Sequence, residues 1–323
     1  MLPELSDLLA TARVVSLPLN TRFRGITQRE ALLLEGPYGW TEFSPFIEYD
    51  DTESATWLAG AIDFGWSEPA PLVRTRIPVN ATLPAVGPGE VAAVLARFPG
   101  CRTVKVKVAE PGEVLADDVA RVAETRAILG PEGRIRIDAN GGWNVDEAEH
   151  AVHALAAYDL EYLEQPCATV EELAELRGRV RYMGLPVAAD ESVRKAADPL
   201  EVARSGAADL LVIKAQPLGG VTAALGIVRE AGLPAVVSSA LETAVGISMG
   251  LHLAGALASL DFDCGLATGA LFAEDVAEPF EIIGGALEVR RVTPWPAHAA
   301  AAERTEWWLD RLRRCYALLD ARF

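Results

Sequence analysis

The 323-residue sequence predicts an α/β fold, because short runs rich in β-branched residues alternate with helix-like segments in its central part. The polar or small residue that ends each run recurs every 24 to 31 residues from Lys107 onward. A (β/α)8 barrel needs about 25–30 residues per unit. The spacing therefore predicts a modified TIM (β/α) barrel over residues 73–284. Its eight strands are expected at Val73–Asn80, Thr103–Val108, Arg134–Ala139, Glu161–Glu164, Pro186–Asp190, Asp209–Ala215, Leu233–Ser239 and, more weakly, Asp261–Gly265.

Residues 1–72 lack this spacing and are predicted to form a small α+β capping domain. Two apolar runs, Arg29–Glu35 and Trp40–Ser44, flank a Gly-Pro-Tyr-Gly sequence. Glycine and proline at these positions favour a tight turn, so the two runs are expected to form a β-hairpin. No low-complexity linker separates this domain from the barrel.

An apolar helix is expected after the hairpin, with Asp51 or Thr52 as its N-cap and its end at about Phe64. The C-terminal tail, residues 285–323, ends in an amphipathic helix that bears Trp and Leu from Thr305 onward. This helix is expected to pack against the capping domain. Both ends of the chain would then contribute to one domain beside the barrel.

The formal net charge of −17 disfavours binding to nucleic acid or to an anionic membrane surface, because both rest on clustered Lys and Arg. An anionic small molecule stays possible, since a site can be locally cationic inside an acidic protein. Residues Thr243–Leu260 lack Asp, Glu, Lys and Arg, but their polar and glycine interruptions favour a buried helix over a membrane span. The four cysteines form no CxxC motif, which favours free thiols and a cytoplasmic location.

Two lysines are predicted to point into the barrel. Lys105 and Lys107 alternate with valines, and the period of two in a strand places both lysines on one face. The valines suit the helix layer outside the barrel. A surface strand with alternating lysines would show the same pattern, so this motif alone leaves both interpretations open.

Three successive runs each end in a carboxylate, at Asp138, Glu164 and Asp190. Each alone could be a helix cap or a surface acid. In a barrel, however, the carboxyl ends of the strands meet at one rim, where active sites lie. Three carboxylates share a pocket only if a cation neutralises them. Oxygen ligands without a nearby His or Cys suit Mg²⁺, so a magnesium site is predicted at this rim.

A lysine opposite the first pair completes the predicted site. Lys214 ends an otherwise apolar run, where an ammonium group is costly unless it has a partner or a role. It would face Lys107 across the metal. Such a site could remove the proton beside a substrate carboxylate and stabilise the resulting enediolate. Further residues at the rim are expected to contact the substrate: Lys105, Arg136, Asn140, Ser238, Ser239 and Gly265.

Five motifs occur in order along the chain: Lys105-x-Lys107, Asp138-Ala-Asn140, Glu164-Gln-Pro166, Asp190-Glu-Ser192 and Lys214. Their combination resembles the enolase superfamily, in the branch with a lysine on each side of the site. The resemblance covers nearly the whole chain. It implies Mg²⁺ held by the three carboxylates, with Lys107 and Lys214 as the acid and base groups. The branch contains muconate-type cycloisomerases, dipeptide epimerases, N-succinylamino acid racemases and o-succinylbenzoate synthases.

Within this branch, the chain most resembles the o-succinylbenzoate synthases. It is compact, and Arg136 stands two residues before the first carboxylate. The segment Leu17–Gly25, which contains Arg22 and Arg24, looks like a loop that closes over the substrate. The resemblance implies dehydration of a dicarboxylate, 2-succinyl-6-hydroxy-2,4-cyclohexadiene-1-carboxylate, to 2-succinylbenzoate in menaquinone synthesis. Because the racemases also carry both lysines, racemisation of an N-succinylamino acid stays open. So do another cycloisomerase or epimerase activity and a barrel that binds a carboxylate without catalysis.

Overall fold

The computed structural model describes residues 2–23, 25–195 and 198–320. Its strands are β1 (Arg13–Phe23), β2 (Ile26–Gly36), β3 (Gly39–Phe43), β4 (Arg76–Pro78), β5 (Ala81–Leu83), β6 (Thr103–Lys107), β7 (Arg134–Asp138), β8 (Leu160–Glu164), β9 (Val187–Ala189), β10 (Leu210–Ile213), β11 (Ala235–Val237) and β12 (Ala286–Glu288). Its α-helices are α1 (Leu5–Thr11), α2 (Asp51–Trp66), α3 (Val91–Leu95), α4 (Leu115–Leu129), α5 (Val145–Leu155), α6 (Val170–Val180), α7 (Glu191–Arg194), α8 (Glu201–Ser205), α9 (Val221–Ala231), α10 (Ala244–Ala256) and α11 (Ala302–Asp320).

The N-terminal part of the chain is an antiparallel sheet in the order β1-β2-β3 with α2 packed on it. Strands β2 and β3 form the predicted hairpin, with Gly36 opposite Gly39. The predicted N-cap of α2, Asp51 or Thr52, was wrong by one or two residues, because Asp50 is the cap. Its backbone is extended, and its carboxylate accepts a hydrogen bond from the Glu53 amide at 2.8 Å, which satisfies a free N–H of the first turn.

The C-terminal helix α11 packs against α2, as the amphipathic pattern predicts. The indole of Trp308 is fully buried and donates a hydrogen bond to Glu30 at 2.9 Å. The guanidinium of Arg311 donates to the backbone carbonyls of Phe46 at 3.0 Å and Tyr49 at 2.6 Å. These contacts join the two ends of the chain. The start of the C-terminal tail does not pack on the capping domain as predicted. Its strand β12 pairs with β4 instead of with the N-terminal sheet.

In the part of the chain that the structure describes, the barrel has seven parallel strands in sequence order, from β5 to β11. Single bridges join its two edges: Ser238 pairs with Gly265 after β11, and Cys264 pairs with Val79 before β5. The weak eighth run therefore contributes two bridging residues instead of a full strand. Below the rim, the interior is filled by side chains of alternating residues, namely Tyr162, Ala188, Leu210, Val212 and Val236. This alternation is the parity that the sequence predicts.

The first barrel strand lies later than predicted. Within the run Val73–Asn80, only β4 is a strand, and it pairs antiparallel with β12. The barrel strand is β5, whose residue Thr82 stands beside Lys105 in a parallel register. Apart from the partly buried Pro78, every residue from Ile77 to Leu83 is buried, so the hydrophobic pattern carries no sign of the change of partner at Asn80.

The apolar segment after β11 is the buried helix α10, as expected for Thr243–Leu260. Within the described ranges, no helix is both long and apolar enough to cross a membrane. All four cysteines are free thiols. The cytoplasmic location and the domain boundaries stay predictions.

Candidate active site

The predicted site residues surround a cavity at the carboxyl ends of the barrel strands. The barrel lines it with Thr82, Lys105, Lys107, Asn140, Glu191, Arg194, Lys214, Ser238, Ser239, Ala240, Gly265 and Thr268. The capping part closes it with two aromatic rings, Phe23 and Phe46. The cavity therefore has a polar, cationic floor and an apolar lid.

The two lysines of β6 reach the carboxylates of the next two strands. The parallel register places Lys107 beside Asp138 and Asp138 beside Glu164. The Nζ atom of Lys105 lies 3.0 Å from Asp138 Oδ2 and 2.8 Å from Glu164 Oε1. The Nζ atom of Lys107 lies 2.5 Å from the same Asp138 oxygen and 2.7 Å from Asn140 Oδ1. Both lysines thus point inward, which excludes the surface-strand interpretation.

The third carboxylate is held from the other side of the barrel. The Nζ atom of Lys214, which follows β10, lies 2.5 Å from Asp190 Oδ2. The Nε atom of Arg194 lies 3.1 Å from Asp190 Oδ1. Strands β7, β8 and β9 lie between Lys214 and Lys107. The two lysines are therefore on opposite sides of the carboxylates, as predicted.

Charge pairing controls the protonation of the first carboxylate and its two lysines. Burial by itself raises the pKa of Asp138, but Lys105 and Lys107 outweigh it and hold that pKa well below its usual range. Burial by itself lowers the pKa of Lys105, but the charges of Asp138 and Glu164 outweigh it and hold that pKa well above normal. The pKa of Lys107 is lowered, because burial and the repulsion of Lys105 exceed the attraction of Asp138. Of these two ammonium groups, Lys107 thus gives up its proton more readily.

The other two carboxylates differ from each other. Burial and the negative charge of Asp138 raise the pKa of Glu164 to about 7. Burial also acts to raise the pKa of Asp190, but Lys214 and Arg194 outweigh it and lower that pKa to about 2. Of the three buried carboxylates, Glu164 is thus the one whose negative charge is least compensated by neighbouring cations.

The donor atoms at this rim suit a hard cation. Three adjacent strands supply oxygen ligands only, and Glu164 Oε2 is buried without a hydrogen-bond partner. Across residues 2–23, 25–195 and 198–320, no three His, Cys, Asp or Glu side chains are grouped closely enough to hold a metal ion. Instead, the lysines and Arg194 bind the carboxylate oxygens. The ligand types and the unpartnered oxygen fit Mg²⁺.

Arg136 lies below the cavity and does not line it. Its guanidinium is fully buried in the barrel interior, 2.6 Å from Glu161 Oε2 and 2.6 Å from the Asp263 carbonyl oxygen, and 4.7 Å from the ring centre of Tyr162. Its position inside the barrel confirms the direction predicted from the alternation of residues along the strand. The structure does not bring it to the predicted substrate contacts.

The remaining predicted contacts line the cavity. Ser239 Oγ donates a hydrogen bond to the Gly265 carbonyl at 2.7 Å and lies 2.8 Å from Thr268 Oγ1. A Cβ atom on Gly265 would lie 2.5 Å from Ser238 Oγ, so a larger residue here would require the Ser238 hydroxyl to move. Asn140 adopts a positive φ of 47° and donates its amide N–H to Asp138.

The segment Leu17–Gly25 reaches the cavity through Phe23, whose ring centre is 5.7 Å from Lys107 Nζ. Asn20 ties the segment to the barrel by donating to the Phe272 carbonyl at 2.7 Å. Arg22 is exposed, and Arg24 lies outside the described residues. An apolar ring, and not the exposed Arg22, is thus what this segment presents to the cavity.

Comparison with known proteins shows the family of the chain. Residues 90–294 match the enolase C-terminal domain-like family, and residues 14–65 match the enolase N-terminal domain-like family. The chain belongs to the enolase superfamily. This finding confirms both the predicted fold class and the resemblance that the five motifs carry.

Full-length relatives within the superfamily are similar in sequence. An o-succinylbenzoate synthase of Mycobacterium ulcerans (strain Agy99) is 56% identical over 323 residues, which cover 98% of this chain and 97% of the relative. The o-succinylbenzoate synthase of Mycobacterium tuberculosis (strain ATCC 25618 / H37Rv) is 54% identical, with 100% and 99% covered. Solved structures share the fold: muconate lactonizing enzyme from Pseudomonas putida has a TM-score of 0.72 at 19% identity, covering 93% of this chain and 98% of that one. The L-Ala-D/L-Glu epimerase from Bacillus subtilis has a TM-score of 0.74 at 22% identity, covering 88% and 96%.

Several polar residues of this enolase-superfamily site were not predicted from the sequence, among them Arg194 and Gln165. Arg194 stands four residues after Asp190 in a short helix, and this i,i+4 spacing was a signal that could have identified it. Gln165 follows Glu164 with a positive φ of 36°. Its side chain accepts from the Asp190 amide at 2.9 Å and donates to Ser192 Oγ at 2.7 Å, so it connects the ends of β8 and β9.

Proposed function

We propose that this chain is an o-succinylbenzoate synthase, which dehydrates 2-succinyl-6-hydroxy-2,4-cyclohexadiene-1-carboxylate to 2-succinylbenzoate. The observation that carries the proposal is the placement of Lys107 and Lys214 on opposite sides of three buried carboxylates, in a chain with full-length relatives of that name. A flat ring carboxylate bound between the two lysines would expose one face to each. The reaction then needs a base on one face and a fixed positive charge on the other.

Lys107 is proposed as the base and as the returning acid. Its neutral amine takes the proton from the ring carbon that bears the carboxylate. The electron pair left behind forms a double bond to the neighbouring carbon as the C–O bond there breaks, which makes the ring aromatic. The protonated Lys107 gives its proton to the departing hydroxide, so water leaves and the amine is regenerated. The lowered pKa of Lys107 favours this cycle, because a base is most effective when its pKa is near the working pH.

The other cations are proposed to stabilise negative charge without moving protons. Lys105 is held on Asp138 and Glu164 with a pKa well above normal, so it stays an ammonium group. Lys214 faces the opposite side of the substrate, where a fixed charge lowers the energy of the developing anion. Apolar contact with Phe23 and Phe46 would exclude water, which strengthens these interactions.

Asp138, Glu164 and Asp190 are the proposed Mg²⁺ ligands. When bound, the ion supplies positive charge beside the substrate carboxylate. The buried, unpartnered oxygen of Glu164 and its raised pKa support this assignment, because both indicate missing positive charge at that carboxylate. A second substrate carboxylate would find a hydroxyl donor at Ser238, which lines the same cavity.

One assay on the purified protein tests the proposal. The cyclohexadiene substrate is supplied with Mg²⁺, and the aromatic product is followed by its absorbance. We expect product with Mg²⁺ and none after a chelator is added. If no product forms with Mg²⁺ present, the proposed function is wrong.

Racemisation of an N-succinylamino acid is the second candidate, because both lysines that it requires reach the cavity. Incubation of such a substrate in deuterated water separates the two activities. Uptake of deuterium at the α-carbon would show that both lysines transfer protons. If only the dehydration is observed, Lys214 acts as a fixed charge.

A further inference from the structure

We propose that Arg194 is a positioning residue that makes the Mg²⁺ affinity of Asp190 depend on contact with the capping part of the chain. The inference rests on the proposed magnesium site. Arg194 ends the short helix α7, and its side chain is only 3% exposed. Its guanidinium is the point where a barrel carboxylate and the cap meet.

Each nitrogen of this guanidinium contacts a different group. The Nε atom lies 3.1 Å from Asp190 Oδ1, and Nη2 lies 2.7 Å from Glu191 Oε1. The Nη1 atom lies 3.3 Å from the hydroxyl of Tyr49 and 3.8 Å from Glu53 Oε1. A planar guanidinium holds its donors in a rigid fork. A change in the position of Tyr49 would therefore change the orientation of the Arg194 guanidinium and, with it, that of the Asp190 carboxylate.

The cap side of this contact leads to the substrate cavity. Tyr49 donates its amide N–H to the Phe46 carbonyl at 3.1 Å, and the ring of Phe46 lines the cavity. The Tyr49 ring is also held by Lys195, whose Nζ atom lies 4.4 Å from the ring centre. A continuous path of contacts thus runs from Phe46 through Tyr49 and Arg194 to Asp190.

The path predicts reciprocal coupling. A substrate that contacts Phe46 would fix Tyr49 and, through Arg194, the carboxylate of Asp190. Mg²⁺ bound at Asp190 would in turn strengthen the contact of substrate with Phe46, because coupling between two sites is reciprocal. Residues that orient metal ligands without binding the metal typically change metal affinity about 10–100-fold when mutated.

Calorimetric titration of Mg²⁺ into the substrate-free protein tests the inference. We expect Arg194→Met to raise the Mg²⁺ dissociation constant about 10–100-fold, and Arg194→Lys to restore only part of the affinity, because it keeps the charge and loses the fork. Tyr49→Phe, which removes only the cap hydroxyl, should raise it about 2–10-fold, as expected for one hydrogen bond. In the Arg194→Met background, Tyr49→Phe should have no further effect. Arg179→Met is the matched control, since Arg179 pairs with Asp146 outside the site, and it should leave Mg²⁺ binding unchanged.

Additive effects of Tyr49→Phe and Arg194→Met on Mg²⁺ affinity would overturn the coupling. So would Mg²⁺ affinities equal to or higher than wild type in both single variants, or a wild-type protein that does not bind Mg²⁺. Circular dichroism identifies a variant that does not fold, and Arg194→Lys with Tyr49→Phe then carries the test. The titration requires no turnover, so a protein that binds Mg²⁺ with the predicted coupling but makes no 2-succinylbenzoate would refute the proposed reaction alone.

Discussion

A buried pair of glutamates links the cap to the barrel, and its ionisation should be visible in the pH dependence of stability. Glu42, in β3, is fully buried and accepts hydrogen bonds from Thr243 Oγ1 at 2.5 Å and from the Gly246 amide at 3.0 Å, at the start of α10. Glu242 is buried beside it and accepts from the amide of Ala240, which lines the cavity. Burial and the charge of Glu42 raise the pKa of Glu242 to about 7.

The sign of the effect follows from linkage. A carboxyl whose pKa is higher in the folded than in the unfolded protein stabilises the fold at low pH, and this stability is lost as pH rises through the folded pKa. A pKa raised from 4.5 to about 7 corresponds to about 3 kcal/mol at 1.36 kcal/mol per pH unit. Most of this stability, about 2–3 kcal/mol, should disappear between pH 5 and pH 8.

The variant Glu242→Gln isolates this contribution, because the amide stays neutral at every pH. We expect the free energy of unfolding of wild type minus that of the variant to fall by about 2–3 kcal/mol from pH 5 to pH 8. Other groups with raised pKa values, such as Asp275 at about 6, cancel in this difference. Urea unfolding followed by circular dichroism at four pH values measures it.

The matched control is Glu230→Gln, because Glu230 is exposed at the end of α9. Its difference from wild type should stay constant with pH. If the Glu242→Gln difference is also constant between pH 5 and pH 8, Glu242 does not titrate in this range, and the assignment of a buried, mutually repelling pair is wrong.

Three further substitutions test the buried Arg136 pair, the support of Asp190 by Gln165 and the packing at the start of α10. Arg136→Met should lower the free energy of unfolding by about 1–3 kcal/mol, because the buried Asn80 side chain and the Asp263 carbonyl lose their hydrogen-bond donor; an unchanged urea midpoint would contradict this. Gln165→Leu should weaken Mg²⁺ binding about 10–100-fold in calorimetric titration, because Asp190 loses the acceptor that fixes its backbone; wild-type affinity would show that the acceptor is dispensable. Gly246→Ala should cost about 1–3 kcal/mol in thermal unfolding, because its Cβ would lie 2.9 Å from Glu42 Cδ, and a melting temperature equal to wild type would count against the tight packing at this helix.

The barrel and the direction of its polar side chains could be predicted because two regular periods coincide in this sequence. The repeat of about 25 residues defines the β/α units, and the period of two within a strand decides which residues face inward. Both act locally. Lys105, Lys107, Asp138, Glu164 and Lys214 therefore lie where these periods place them.

Depth along a strand was harder to predict than direction. Arg136 shares the inward face with Asp138 but lies two residues earlier, which is about 6–7 Å deeper in the barrel. At that depth it contacts Glu161 and not the cavity. Lys105 is equally deep relative to Lys107, but its unbranched chain reaches up to the carboxylates. Side-chain reach, and not the pattern alone, decides which inward residues meet a substrate.

Contacts between the cap and the barrel had no local signal at all. Tyr49 and Arg194 are 145 residues apart and meet only because both chain segments end beside the same cavity. The change of partner at Asn80 was hidden for a similar reason, since Val79 and Ala81 are equally buried in two different pairings. These features depend on tertiary packing and not on the residues nearby in sequence.

Lys107 is proposed above as the base of the dehydration. The direct measurement is the single-turnover rate of Lys107→Ala with the cyclohexadiene substrate and saturating Mg²⁺, beside wild type. A general base contributes about 10²–10⁴-fold to the rate, so we expect at least that loss, with Mg²⁺ binding retained because Asp138, Glu164 and Asp190 are intact. A Lys107→Ala protein that forms 2-succinylbenzoate at the wild-type rate would contradict the account.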